Sequence, residues 1–238
     1  HSSHRRQRQM CIRDRHENDI SKEELTGFYV MATNYCTRKL HRNELHYFDE
    51  LAHLYKAIVK NELLFEEGFI MPTRFKNIVM VGAKSQDFEW VEQFMEDYGK
   101  HLVPKFREST LQYCQATIHF HRGDYEKVKT SLLETGTIDV YFSLGARHLL
   151  LKTYYELTES DAFFNLMDTF KSFLRTNKQL SSPQRTAYIG SIDVMNMLFK
   201  AKTEPQRNGT DRQKIANKLD EKHTIDRLWL MEKLKEVS

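Results

Sequence analysis

The sequence predicts an all-α protein, and three observations carry that expectation. Apolar residues recur at three- and four-residue spacing from Leu25 almost to the end of the 238-residue chain. Helix start and stop residues punctuate this pattern throughout. Only nine Gly and four Pro are present, too few for the tight turn every ~8–12 residues that an all-β fold needs. With 15 Phe, 11 Tyr and 2 Trp, the chain can bury a sizeable core, which excludes a wholly disordered protein. No stretch approaches the ~18 consecutive apolar residues of a membrane span.

The elements follow in order. Ser21-Lys22-Glu23-Glu24 spells a capping box, and Leu25, Phe28, Tyr29, Ala32, Tyr35 and Cys36 form the stripe behind it. Asn43 is placed to cap a second helix carrying Phe48, Leu51, Ala52, Tyr55, Ile58 and Val59. Pro72 suits the first turn of a third, with Phe75, Ile78, Val79 and Ala83. Asp87 opens a fourth, ending near Gly99, and Pro104 a fifth, ending at Gly123. Asp124 begins a short sixth that stops near Gly136. A seventh spans about 139–157 and an eighth about 161–175. Ser182-Pro183 starts a ninth, and two more follow at 211–221 and 224–237. About eleven helices result, and no strand is expected.

The ends differ from the body. Residues 1–15 hold five Arg and one Asp with no apolar period. The segment from Gln7 to Arg15 resembles translated sequencing-adapter sequence, so residues 1–19 are expected to be an artefactual or disordered leader. The alternative is a basic arm that binds nucleic acid. Of the overall charge of +3, the first fifteen residues hold +4 and residues 200–238 another +3, which leaves −4 for residues 16–199. Such a body lacks the positive field of a nucleic-acid binder. Residues 20–202 read as one helical domain, 203–209 as a linker, and 210–238 as terminal helices capping it, anchored by Trp229. Cys11, Cys36 and Cys114 form no CxxC and no disulfide framework, which suits buried thiols in a reducing cytoplasm.

Spacing is the most informative feature. Three turns align, Ser85-Gln86-Asp87-Phe88, Arg122-Gly123-Asp124-Tyr125 and Glu159-Ser160-Asp161-Ala162, with their Asp residues 37 apart each time. The apolar register after the turn agrees in the first two and slips by one in the third. A lone helical hairpin cannot bury its apolar face, so stacked copies are expected. His119-Phe120-His121-Arg122-Gly123-Asp124-Tyr125-Glu126-Lys127-Val128 resembles the centre of a tetratricopeptide (TPR) repeat, with Ala116, Gly123 and Tyr125 at the family's small, glycine and aromatic positions. Val128 is larger than that family's usual Ala, and Gln86 and Ser160 replace the Gly in the flanking copies. The period also exceeds the usual ~34 residues. The resemblance implies a right-handed α-solenoid of stacked helix–turn–helix hairpins over residues 70–177.

It further implies a concave groove lined by the first helix of each hairpin. Carried over position by position, its residues are Thr73, Lys76, Met80 and Lys84; Thr110, Tyr113, Thr117 and His121; and Arg147, Leu150, Tyr154 and Thr158. Lys76, Met80, Lys84, Tyr113, Thr117, His121, Arg147 and Tyr154 are the candidate contacts. No acidic residue is among the twelve, so an acidic peptide or a chain-terminal carboxylate is the ligand such a row would favour.

Catalytic chemistry is poorly supported. His46, Glu50 and His53 share one helical face, and Glu50-Leu51-Ala52-His53 has the ExxH spacing of di-metal bundles, but no second copy exists. No phosphate-binding loop, nucleophile elbow or dinucleotide fingerprint occurs. The expectation is a cytoplasmic, non-catalytic scaffold that binds a protein segment without a cofactor. An RNA-binding helical repeat is the first alternative, and a metal enzyme using His46, Glu50 and His53 the second.

Overall fold

The computed structural model describes residues 20–42, 44–133, 140–204 and 212–237. Among them it shows eleven α-helices: α1 (Lys22–His41), α2 (Tyr47–Lys60), α3 (Pro72–Lys84), α4 (Phe88–Tyr98), α5 (Arg107–Arg122), α6 (Tyr125–Leu133), α7 (Val140–Leu157), α8 (Ser160–Thr176), α9 (Ser182–Thr203), α10 (Arg212–Glu221) and α11 (Arg227–Glu236). The all-α class is therefore correct. The expected leader 1–19, the Asn43 cap, the sixth helix's stop near Gly136, most of the 203–209 linker, and Cys11 lie outside the described residues.

Local chemistry sets most boundaries. The Ser21 hydroxyl accepts from Glu24 N–H at 3.2 Å while the Glu24 carboxylate accepts from Ser21 N–H at 3.1 Å, closing the capping box. At α9 the cap is Ser181, one residue before the expected Ser182. Its reciprocal partner is Gln184, with Pro183 inside the first turn where a missing N–H costs nothing. Asp87 caps nothing with its side chain. Its carboxylate instead takes the ammonium of Lys56 at 2.5 Å, tying α2 to the α3–α4 turn. Pro104 opens a single 3-10 turn ahead of α5. One expectation fails outright: a small antiparallel β-hairpin, β1 (Phe65–Glu66) with β2 (Phe69–Ile70), joins α2 to α3. The chain reverses there through Glu67 and Gly68, both at positive φ, and buries Ile70 completely while Phe65 and Phe69 remain open.

The helices pack in series. α3 lies against α4 and α5, α5 against α6 and α7, and α7 against α8, so α3, α5 and α7 form one row with α4, α6 and α8 beside it. The core is accordingly two consecutive clusters. One runs from Tyr29 through Phe75, Ile78 and Phe94 to Cys114 and Ile118, and the other from Ala116 and Phe120 through Phe163 and Phe199 to Leu230. Helix α5 feeds both, because residues on opposite flanks of one helix face opposite neighbours. Cys36 and Cys114 are buried free thiols, and burial pushes both above the ordinary thiol range.

The turns correct the repeat. In the first, the chain leaves the helix through Gln86 at φ 60°, in the second through Gly123 at φ 80°, and in the third through Thr158 at φ 59°. The next N–H in each case returns to the helix: Asp87 to Gly82 O at 3.1 Å, Asp124 to His119 O at 2.9 Å, and Glu159 to Tyr154 O at 3.0 Å. Thr158, not Ser160, is thus the equivalent of Gly123. The second interval is 35 residues, not 37, and Phe163 takes the place of Val91 and Val128. Asp161 keeps the 37-residue spacing in the sequence, whereas the backbone repeats at its left-handed residue. A β-branched side chain is costly there, so Thr158→Gly is expected to stabilise the fold by about 0.5–1 kcal/mol. A raised thermal midpoint would show this, and a lowered one would reject the alignment.

Candidate functional site

Shifting the third copy by two residues moves its inner row from Arg147, Leu150, Tyr154 and Thr158 to Gly145, His148, Lys152 and Glu156. The contacts agree with the shift. The Arg147 guanidinium lies 4.9 Å from the Phe173 ring centroid on α8, and Tyr154 packs half-buried into the second core cluster. Arg147 therefore faces α8. The first two copies, whose turns pass through Gln86 and Gly123, need no such shift. Lys76 Nζ stands 5.6 Å from the ring centroid of Tyr113, joining the first copy to the second. Tyr113 in turn covers Gly145, where an added Cβ would come within 2.9 Å of the ring. Burial holds the Tyr113 phenol well above its ordinary range. Met80 is exposed. Thr117 is buried and spends its hydroxyl on Tyr113 O at 2.8 Å.

The other half of the row is covered by the chain's own C-terminal segment. Its backbone docks on α9: Ser191 Oγ accepts Ile225 N–H at 2.8 Å, and a Cβ added to Gly190 would lie 2.4 Å from His223 O. Only glycine leaves room for that approach. The segment then crosses α7. Asp226, at φ 50°, forms an ion pair and hydrogen bond with Lys152, whose side chain is only 5% exposed. The same ammonium lies 4.4 Å from the Phe120 ring centroid and 5.0 Å from that of Trp229. Trp229 Nε1 donates to Glu156 Oε1 at 3.0 Å, and Lys233 Nζ donates to Glu156 Oε2 at 2.9 Å. Farther along, Glu232 reaches Lys84 on α3 at 3.2 Å. The expected anchoring role of Trp229 matches its burial at 4% exposure, but its ring meets Tyr155 on α7 edge-on at 5.2 Å, so it covers the inner row as well as the last hairpin.

Electrostatics follow from this crowding. Burial raises the Asp226 carboxyl, but Lys152 and His148, with Lys84 behind, outweigh it and hold the group well below the usual carboxylate range. His148 is pushed down to about 4 by burial, with Asp226 opposing and Lys152 adding to the fall. His121 is pushed down to about 4 by burial and Lys152, with Asp226 opposing and Lys84 adding. Both imidazoles are neutral at pH 7. The row thus offers the ammonium groups of Lys76, Lys84 and Lys152, and its one carboxylate, Glu156, is taken up by Trp229 and Lys233.

His148, Lys152, Glu156, Asp226 and Glu232 are not singled out in the sequence analysis. The Asp-to-Asp spacing of 37 residues lies two residues off the backbone's own, and nothing in the terminal helix says which face of the array it crosses. The signal for the three on α7 is the 35-residue spacing from Gly123 to Thr158, close to the ~34 of tetratricopeptide repeats.

The metal candidates do not converge. His46, Glu50 and His53 line a cavity of about 610 Å³ between α2, α3 and α4, together with Lys56, Asp87 and Trp90. His53 Nδ1 is engaged with Asp49 O at 2.7 Å, and among the described residues no group of three His, Cys, Asp or Glu is placed to hold a metal ion. No helix among them is long and apolar enough to cross a membrane. No protein-family model, curated protein or solved structure matches this chain.

Proposed function

We propose that the chain is a non-catalytic, TPR-like α-solenoid that binds an acidic segment of another protein along the inner row of α3, α5 and α7. The observation that carries this reading is the way the row treats carboxylates. Lys152 holds Asp226, just ahead of α11, and Lys84 holds Glu232 within it, which supports a row that takes acidic side chains. Series packing of the helices, the left-handed turn residues at 37- and 35-residue intervals, and a core split into two clusters support the solenoid. The role rests on recognition of charge, with the half around Thr73, Lys76 and Met80 left uncovered. The reading includes a cytoplasmic setting, in keeping with two buried free thiols.

The test is selection from a displayed peptide library on the full chain. Acidic sequences are expected to be enriched, and Lys76→Glu is expected to lower their affinity about tenfold, the effect of turning one favourable ion pair into repulsion. Lys76 is half-buried at the open half of the row, so the thermal midpoint should move little. Absence of acidic enrichment, or enrichment indifferent to Lys76→Glu, would reject the reading.

A further inference from the structure

The inner row and the C-terminal segment are complementary along their shared length. Asp226 meets Lys152, and Glu232 meets Lys84 at 3.2 Å. Lys233 and Trp229 meet Glu156 at 2.9 and 3.0 Å. Leu230 between them is completely buried. Alternation of charge with an apolar anchor is what a helix-in-groove ligand presents, and here the ligand is part of the chain. The attachment has weak points. α11 is ten residues long, too short to be stable without its groove. Its first turn is entered through a non-glycine residue at φ 50°, and Glu232 is 54% exposed in its contact with Lys84. Beside it, Thr73 and Met80 remain open, a landing place for a competing segment.

We infer that the inner row is a receptor for an amphipathic helix of a partner protein that presents an Asp and a Glu to it, and that residues 222–237 are its built-in competitor. The inference rests on the peptide-binding reading above and adds the ligand's pattern: an Asp, a Trp-Leu pair beginning three residues later, and a Glu two residues after the Leu. The partner helix replaces α11, places its Asp on Lys152 and its Glu on Lys84, and exposes Trp229.

The test titrates a labelled synthetic peptide with the sequence of residues 222–237 into the full-length chain and into full-length Glu232→Lys. Glu232→Lys turns the Lys84 contact repulsive, so the variant should bind the peptide about tenfold more tightly than the unaltered chain. A peptide carrying Asp226→Lys should bind the variant at least about tenfold more weakly. Equal affinity of the two chains would overturn the competitor. A second measurement needs no variant: backbone amides of 227–236 should exchange with deuterium at least about tenfold faster than the buried amides of α7 and α9. Equal protection would make α11 a permanent part of the core and overturn the inference, while Lys76-dependent enrichment of acidic peptides would leave the peptide-binding reading standing. Fast exchange with no peptide bound by either chain would overturn both. A dimer of the Glu232→Lys chain in light scattering, formed by reciprocal exchange of tails, would assign the receptor to a second copy and overturn the partner assignment.

Discussion

Asp226→Ala is expected to destabilise the protein by about 3 kcal/mol, whereas Lys152→Met should cost only about 1 kcal/mol, although both remove the same bond. The asymmetry comes from what each change leaves behind. Without Asp226, the Lys152 ammonium stays between Phe120 and Trp229 with 5% of its side chain exposed and no counter-charge. The faces of the two rings replace only part of the lost attraction. Without Lys152, the Asp226 carboxylate keeps 32% of its side chain open to water and can be hydrated, while a methionine fills the space under Trp229. The double variant should therefore resemble Lys152→Met alone. Denaturant titrations of the four chains, followed by tryptophan fluorescence, check this. Equal costs for the two single variants would mean that the ammonium reaches water and that the pair is an ordinary surface bridge.

Acidification from pH 6.5 to about 4 is expected to cost the fold stability, on the order of 3 kcal/mol through His148 alone. The sign follows from the direction of the shifts. Both imidazoles are held down to about 4 in the folded chain, so between that value and the ordinary 6.5 the unfolded chain binds protons that the native chain refuses. Stability from a neutral buried histidine is complete above 6.5 and lost as pH falls towards 4. The groups facing His148 are Asp226, Lys152 and the Tyr188 ring at 5.8 Å. Those facing His121 are Lys152, Asp226 and Lys84. Asp226, whose carboxyl is also held down, adds a loss of the same sign at still lower pH. His148→Gln should flatten the slope of unfolding free energy against pH in this window. An unchanged slope in that variant would mean that His148 is protonated in the folded chain.

The two results bear on function together. If Lys152 is buried only because Asp226 covers it, the inner row is a carboxylate seat in use. If His148 and His121 refuse protons only because the same segment shuts out water, mild acid weakens the cover and opens the row. Stability of the C-terminal segment and availability of the binding surface are then one equilibrium, read from opposite ends.

Much of this was legible in the residues. Leu51, Tyr55 and Ile58 on α2, or Val91 and Phe94 on α4, announce their buried faces by spacing alone, since a helix repeats every 3.6 residues whatever surrounds it. Capping boxes are local as well: the atoms involved lie within four residues. Gly123 marks its turn because a left-handed exit is cheap for that residue alone. Thr158 makes the same exit without the sign, and a count anchored on Asp161 ran two residues long. That error was enough to exchange Lys152 for Tyr154, because two residues along a helix is more than half a turn.

The sequence by itself determined the helical class, the order of the helices and most of their buried stripes, all consequences of interactions within a few residues. The tertiary structure alone decided which side of α7 faces inward and where residues 222–237 come to rest. Lys152 and Asp226 are 74 positions apart, and no local pattern encodes their meeting. It depends on the room left at Gly190 for a passing backbone and on the hydrogen bond that Ile225 N–H donates to Ser191 Oγ.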